Sequence, residues 1–143
     1  MNVHTISIPN KKCDKPSSGL ACITGASSGI GAEFARQLAA EGYSIILVAR
    51  REDRLVDLGQ ELASDYRVEC ECITADLSDL NECENLISHL KSKREMPLDI
   101  LINNAGFGDF KNFDRFTPQT IRETFDVNTL AAINFSRLVG ERM

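Results

Sequence analysis

The residues best suited to chemistry form one short segment, Thr24-Gly25-Ala26-Ser27-Ser28-Gly29-Ile30-Gly31. It lies between an apolar run, Leu20-Ala21-Cys22-Ile23, and a stretch in which Ile30, Phe34, Leu38 and Ala39 recur at helical spacing before Gly42. The first run has the character of a strand covered on both faces, and Gly42 suits a helix end in a left-handed conformation. A strand, a glycine-rich turn and a helix in succession would leave the backbone N–H groups of residues 26–30, those of Ser27, Ser28 and Ile30 included, as donors at the positive end of a helix dipole. Such an arrangement attracts a phosphate, and here it would hold the pyrophosphate of a dinucleotide. Gly25 frees the turn, Gly29 allows close approach of the phosphates, and Gly31 allows the helix to sit close to the sheet. The same composition also serves ordinary strand–helix connections, and the flanking periodicity favours the phosphate reading.

The spacing Thr-Gly-x-x-x-Gly-x-Gly differs from the Gly-x-Gly-x-x-Gly of most dinucleotide folds and resembles the short-chain dehydrogenase/reductase family. Three later segments agree with it: Asp76-Leu77 after the third expected strand, Asn103-Asn104-Ala105-Gly106 after the fourth, and Asp126-Val127-Asn128 in the helix beyond. The resemblance runs from about Gly19 to Met143. It implies that Asp76 and Leu77 meet the adenine, that Asn103, Ala105 and Gly106 line the cofactor cleft, and that Asn128 is the active-site asparagine. It also implies an α/β, Rossmann-type doubly wound parallel sheet of strand order 3-2-1-4. Asn128 equally suits a polar residue that satisfies backbone at a helix break.

Cofactor choice is legible at the end of the second strand, about 20 residues past the turn, where an acidic residue would bind the adenosine ribose hydroxyls of NAD. Arg50 and Arg51 stand there instead. A guanidinium binds a 2′-phosphate through charge-assisted hydrogen bonds, so NADP is expected over NAD, with Arg50 as first choice for the contact and Arg51 as second. Two solvated arginines opening a helix are the plainer alternative.

The resemblance further implies hydride transfer between the nicotinamide and a ketone or secondary alcohol. In the family a Tyr acts as general acid/base, a Lys four residues later supports it, a Ser orients the substrate oxygen and an Asn keeps a water in the proton relay. Only the Asn is placed in this sequence. Tyr43 and Tyr66 are the two tyrosines, and Leu47 and Cys70 stand where the Lys would follow. The expected relationship is therefore to the N-terminal portion of a family member, with a fold ending after the fourth strand and the next helix. A non-catalytic nucleotide-binding or remnant polypeptide is the alternative, and a flavin or adenylate binder is a third. Phe107, Phe110, Phe113 and Phe116 suit either a substrate-pocket wall or a loop packed on the core.

These residues need a scaffold, and the rest of the chain supplies its pattern. Ser44-Ile45-Ile46-Leu47-Val48-Ala49 reads as a second buried strand, and Leu55, Leu58 and Leu62 mark one face of a helix. Val68, Cys70 and Cys72 alternate with Glu69 and Glu71, as in a half-exposed strand at a sheet edge. Leu80, Cys83, Ile87 and Leu90 outline a third helix, closed by Met96-Pro97 before the strand Leu98-Asp99-Ile100-Leu101-Ile102. Thr117-Pro118 forms a cap and first turn of a helical region that runs, with a break near Asn128, to the end. The chain divides into a polar, mobile extension over 1–18 and a dinucleotide-binding domain over 19–143.

At 143 residues, 43% hydrophobic and 26% charged, the chain can bury one core. No apolar run of membrane-spanning length occurs, no signal peptide is expected, and a net charge of −5 without a basic cluster speaks against nucleic acid. The five cysteines lack metal-ligand spacing, so no metal is expected, and their odd number suits a reducing, cytoplasmic setting. The partner expected is a small carbonyl or alcohol substrate. By family resemblance a homo-oligomer would form through the helix carrying Asn128, using Leu130, Ile133 and Leu138.

Overall fold

Period-two alternation of large apolar residues lets a strand fill two cores at once, and the computed structural model of the chain is organised around that alternation. It describes residues 1–6, 19–92, 98–108 and 112–140. The strands are β1 (Asn2–Ile6), β2 (Leu20–Thr24), β3 (Ser44–Ala49), β4 (Cys70–Thr74) and β5 (Leu98–Ile102). The helices are α1 (Gly29–Ala40), α2 (Glu52–Tyr66), α3 (Leu80–Ser92), α4 (Pro118–Phe125) and α5 (Ala132–Gly140), with a π-helical turn over Asp126–Ala131 joining the last two.

The sheet order is β1-β4-β3-β2-β5. Pairings of β2 with β3, β2 with β5 and β3 with β4 are parallel, which gives the expected 3-2-1-4 order of a doubly wound sheet. On one face, Ala21, Ile23, Ile45 and Leu47 pack with Ala35 of α1 and with Leu55 and Leu62 of α2. On the other, Cys22, Ile46, Val48 and Ile73 pack with Leu86 and Leu90 of α3 and Phe135 of α5. Full burial of each such Ile or Leu contributes about 1.5–3 kcal/mol.

Two expectations are corrected here. The stretch expected as part of a mobile extension includes β1, which pairs antiparallel with β4 from Asn2 opposite Thr74 to Ile6 opposite Cys70; residues 7–18, with Cys13, lie outside the described residues. Consequently β4 is not an edge strand, and Cys70, Glu71, Cys72 and Ile73 are all buried. The alternation misled because Glu71 is not solvated: His89 Nε2 of α3 donates to its Oε1 at 2.7 Å. Met96-Pro97 also lies outside the described residues.

The local signals at element ends are present. Gly42 adopts φ +89 just past α1, and Thr117 Oγ1 accepts from Thr120 N at 3.1 Å with Pro118 in the first turn of α4. Near Asn128 the helix does not break but widens, since the π-helical turn keeps the backbone helical while adding a residue to the turn.

Candidate functional site

The cleft opens at the C-terminal ends of β3, β4, β2 and β5, where a doubly wound sheet reverses its strand order and leaves a crevice. Its volume is about 420 Å³, within the range of small-molecule sites. The turn after β2 contributes Gly25, Ser27, Ser28 and Ile30; β3 leads into Ala49, Arg50 and Arg51; β4 leads into Ala75, Asp76 and Leu77. The segment after β5 adds Asn104, Ala105, Gly106 and Phe107, and Val127 closes the far side.

Close contact leaves no room for a side chain at Gly25 or Gly31. A Cβ on Gly25, which has φ +67, would lie 2.8 Å from Ala105 Cα, and one on Gly31 would lie 2.5 Å from Asn104 Nδ2 and 2.6 Å from the Gly25 carbonyl oxygen. Asn104 holds this junction: its Nδ2 donates to the carbonyl oxygens of Thr24 and Gly25 at 3.1 and 3.2 Å. Thr24 Oγ1 in turn accepts from the amides of Asn104 and Ala105.

Ser28 is the N-cap of α1 but its hydroxyl does not cap the helix, and no acidic residue stands in the first turn. The hydroxyl accepts from Arg51 Nη2 at 2.7 Å, and Ser27 Oγ accepts from the same guanidinium at 2.9 and 3.2 Å. A cation thus sits beside a helix N-terminus, and both attract an anion. One amide of the expected nest is otherwise engaged, because Ala26 N donates to the Val48 carbonyl at 3.2 Å. Arg50 Nη1 lies 4.0 Å from Asp76 Oδ2, and Asp76 Oδ1 accepts from the amide and hydroxyl of Ser78.

Of the residues singled out from sequence, Gly25, Ser27, Ser28, Ile30, Arg50, Arg51, Asp76, Leu77, Ala105 and Gly106 come together in the cleft. Gly29 and Gly31 shape the turn without lining the cleft. Asn103 does not line it: its Nδ2 donates to Ser136 Oγ at 3.1 Å and ties β5 to α5. Successive residues leaving a strand point to opposite sides, and Asn104 takes the cleft side instead. Asn128 sits behind Phe107, where Oδ1 accepts from Phe107 N at 3.0 Å and Nδ2 donates to Phe107 O at 2.9 Å. Phe107 lines the cleft and packs on the core; Phe110 and the side chain of Phe113 lie outside the described residues. Thr24, Ala49, Ala75, Asn104 and Val127 were missed as site residues, although Thr24, Asn104 and Val127 stand inside motifs read from the sequence. Among the described residues no group of three or more His, Cys, Asp or Glu is placed to hold a metal ion.

A crevice at the C-terminal ends of the parallel strands defines the class of doubly wound α/β proteins, and comparison narrows it. Residues 19–143 match the short chain dehydrogenase family model, and the chain belongs to that family. It is 34% identical over 126 residues to the very-long-chain 3-oxoacyl-CoA reductase of Kluyveromyces lactis, a match covering 86% of this chain and 36% of that protein. Among solved structures, a bulky-bulky ketone specific alcohol dehydrogenase from Comamonas testosteroni superposes with a TM-score of 0.83 at 33% identity, covering 89% of this chain and 50% of the other. A short-chain dehydrogenase from Sphingobium yanoikuyae in complex with NADPH superposes with a TM-score of 0.81 at 34% identity, covering 87% and 48%. The chain therefore spans about a third to a half of the length of these relatives.

Proposed function

We propose that this chain is the cofactor-binding portion of an NADP(H)-dependent oxidoreductase that transfers hydride between the nicotinamide and the carbon of a ketone or secondary alcohol. The observation carrying this reading is the pair Arg50 and Arg51 at the cleft, with Arg51 reaching the serines of the glycine turn. The amides of Ser27, Ser28 and Ile30 would receive the pyrophosphate, Arg51 and Arg50 the 2′-phosphate, and Asp76 and Leu77 the adenine end. Ala105 and Gly106 would border the nicotinamide half, with Asn128 fixing Phe107 beside it. Bound NADP(H) would supply or accept the hydride; the residues described here bind and orient it.

Proton transfer needs a donor that these residues do not supply. Tyr43 precedes β3 and Tyr66 ends α2, both at the end of the sheet away from the cleft. The 143-residue polypeptide by itself is accordingly expected to bind NADPH without turnover, and the alternative function, a non-catalytic nucleotide binder, describes it in that form. Among the described residues no helix is long and apolar enough to cross a membrane. Exposed Leu130 and Ile133 favour homo-oligomerisation along the last helix, the side chain of Leu138 lying outside the described residues. The free thiols Cys22, Cys70, Cys72 and Cys83 favour a cytoplasmic setting. Fluorescence titration tests the reading: NADPH should bind more tightly than NADH, and Arg51→Ala or Arg50→Ala should weaken NADPH selectively, by about 1.5–3 kcal/mol for a charge-assisted contact. Equal losses for both cofactors would refute the phosphate contact.

A further inference from the structure

The strand β1 has no part in the cofactor reading, yet it reaches the edge of the sheet on which the cleft opens. Because β1 is antiparallel to β4, its first residue, Asn2, lies opposite Thr74, the last residue of β4. The side chains of Asn2, His4 and Ile6 lie on one face, towards α2, and Ile6 Cδ1 approaches Gly59 of that helix closely enough to meet a Cβ there at 2.7 Å.

At the start of α2 this face grips a single carboxylate. Asn2 Nδ2 donates to Glu52 Oε2 at 3.1 Å, and His4 Nε2 donates to Glu52 Oε1 at 2.5 Å. Glu52 directly follows Arg51 in the chain, yet both its oxygens are bonded to β1, while Arg51 is bonded to Ser27 and Ser28 and Arg50 faces Asp76. The Asn2 and then the His4 hydrogen bond hold the Glu52 carboxyl below its usual range, so it is an anion at neutral pH. An anion released at this position would compete for the neighbouring guanidiniums and repel a phosphate dianion.

We propose that Asn2 and His4 are positioning residues for cofactor specificity: they anchor the Glu52 carboxylate on β1, away from Arg50 and Arg51, and so leave the two arginines available to the 2′-phosphate of NADP(H). This inference rests on the NADP(H) reading above. It gives β1 a function at the adenosine end of the cleft and makes a backbone-paired strand part of the discrimination between phosphorylated and unphosphorylated dinucleotide.

The test is a cycle of variants in the 143-residue chain with its own N-terminus and a C-terminal tag, each titrated with NADPH and NADH. N2A/H4A should weaken NADPH about three- to tenfold, the range a unit charge a few ångströms away exerts through water, and change NADH less than twofold. E52Q alone should bind NADPH at least as tightly as the unmodified chain. N2A/H4A added to E52Q should cause no further loss, and His4→Gln, which keeps a donor, should retain most of the NADPH affinity. The N2A/H4A effect should also shrink in 0.5 M salt, on the order of a Debye length of only a few ångströms. A loss that persists undiminished in the E52Q background, or equal losses for NADPH and NADH, would overturn the proposal. E52Q removes the charge while leaving the sequence of β1 and one of its two acceptors in place, and weaker NADPH binding by E52Q would overturn it too. Failure of the unmodified chain to bind NADPH would instead strike the cofactor reading itself.

Discussion

Thr24 and Asn104, the last residue of β2 and the second residue after β5, bind each other through both backbone and side chain. Asn104 N donates to Thr24 Oγ1 at 3.1 Å while Asn104 Nδ2 donates to the Thr24 carbonyl at 3.1 Å. Thr24 is only 2% exposed, and its hydroxyl also accepts from Ala105 N at 3.0 Å and donates to the Ile102 carbonyl at 3.4 Å. The Thr24 side of these bonds is shielded from water. Thr24→Val keeps the shape but removes the acceptor of two partly buried amides, and should cost about 1–3 kcal/mol in urea unfolding. Thr24→Ser should recover most of it. A valine variant as stable as the parent would show that the two strands are not held by this hydroxyl.

The glycines of the turn separate into two kinds, and substitution distinguishes them. Gly31→Ala would place a Cβ 2.5 Å from Asn104 Nδ2 and 2.6 Å from the Gly25 carbonyl oxygen, so the helix must move off the sheet or Asn104 must leave. Gly29→Ala meets nothing within 4 Å, and its cost comes from φ +58 alone, about 1–2 kcal/mol. We expect Gly31→Ala to lower both the unfolding midpoint and NADPH affinity. The Gly29 variant should lose stability by the backbone cost only. Indistinguishable stabilities for the two would contradict the contact argument.

What was legible in the sequence follows from how local each cause is. The turn, the alternating cores, Gly42 and Thr117-Pro118 announce themselves because their geometry is set by residues a few positions away. Strand β1 did not, since Asn2, His4 and Thr5 carry no apolar pattern and are held by pairing with β4 about 70 positions further on. Its presence reversed the reading of β4, for Glu71 looks solvated until His89 is brought against it. In the Asn103-Asn104 pair the motif was visible, but which residue faces the cleft depends on where β5 ends. Asn128 shows the remaining difficulty: the helix irregularity was legible, whereas the reciprocal bonds to Phe107 required the π-helical turn to swing the side chain onto a distant loop.

The buried thiols give a pH dependence of definite sign. Burial pushes Cys22 and Cys70 up to about 12, and Cys72 and Cys83 up to about 11, with Glu71 adding to the effect on Cys22 and Cys72. Each folded-state value lies above the unfolded value of about 8.5. The contribution is therefore fully present below pH 8 and is lost as pH rises towards 11–12, where the unfolded chain sheds protons that the folded chain keeps. Unfolding free energy should fall above about pH 9, and these four thiols should resist iodoacetamide at pH 8 until urea unfolds the chain. Rapid alkylation of any of the four in the folded protein would contradict their burial.

The far edge of the sheet carries the last prediction. Among the described residues β5 pairs only with β2 and forms one edge of the sheet, the short, polar β1 forming the other. Ile100, Leu101 and Ile102 are half-buried there, and the outward ladder groups of β5 offer a template for another strand. Apolar exposure continues onto the last helices, where Ile121, Phe125 and Ile133 are each more than half exposed. The 143-residue polypeptide should therefore associate through these surfaces at micromolar concentration. Sedimentation velocity should report species larger than a monomer whose proportion grows with concentration, and thermal unfolding should be broad and concentration-dependent. A monomer that melts in one sharp, concentration-independent transition would show that β2 and the packing of α5 suffice to satisfy β5. Because Asn103 bonds to Ser136 of α5 from the end of that same strand, Asn103→Ala tests the point from the other side. Freeing the helix from β5 should widen the exposed edge and increase association, whereas an unchanged sedimentation profile would place the contact surface elsewhere.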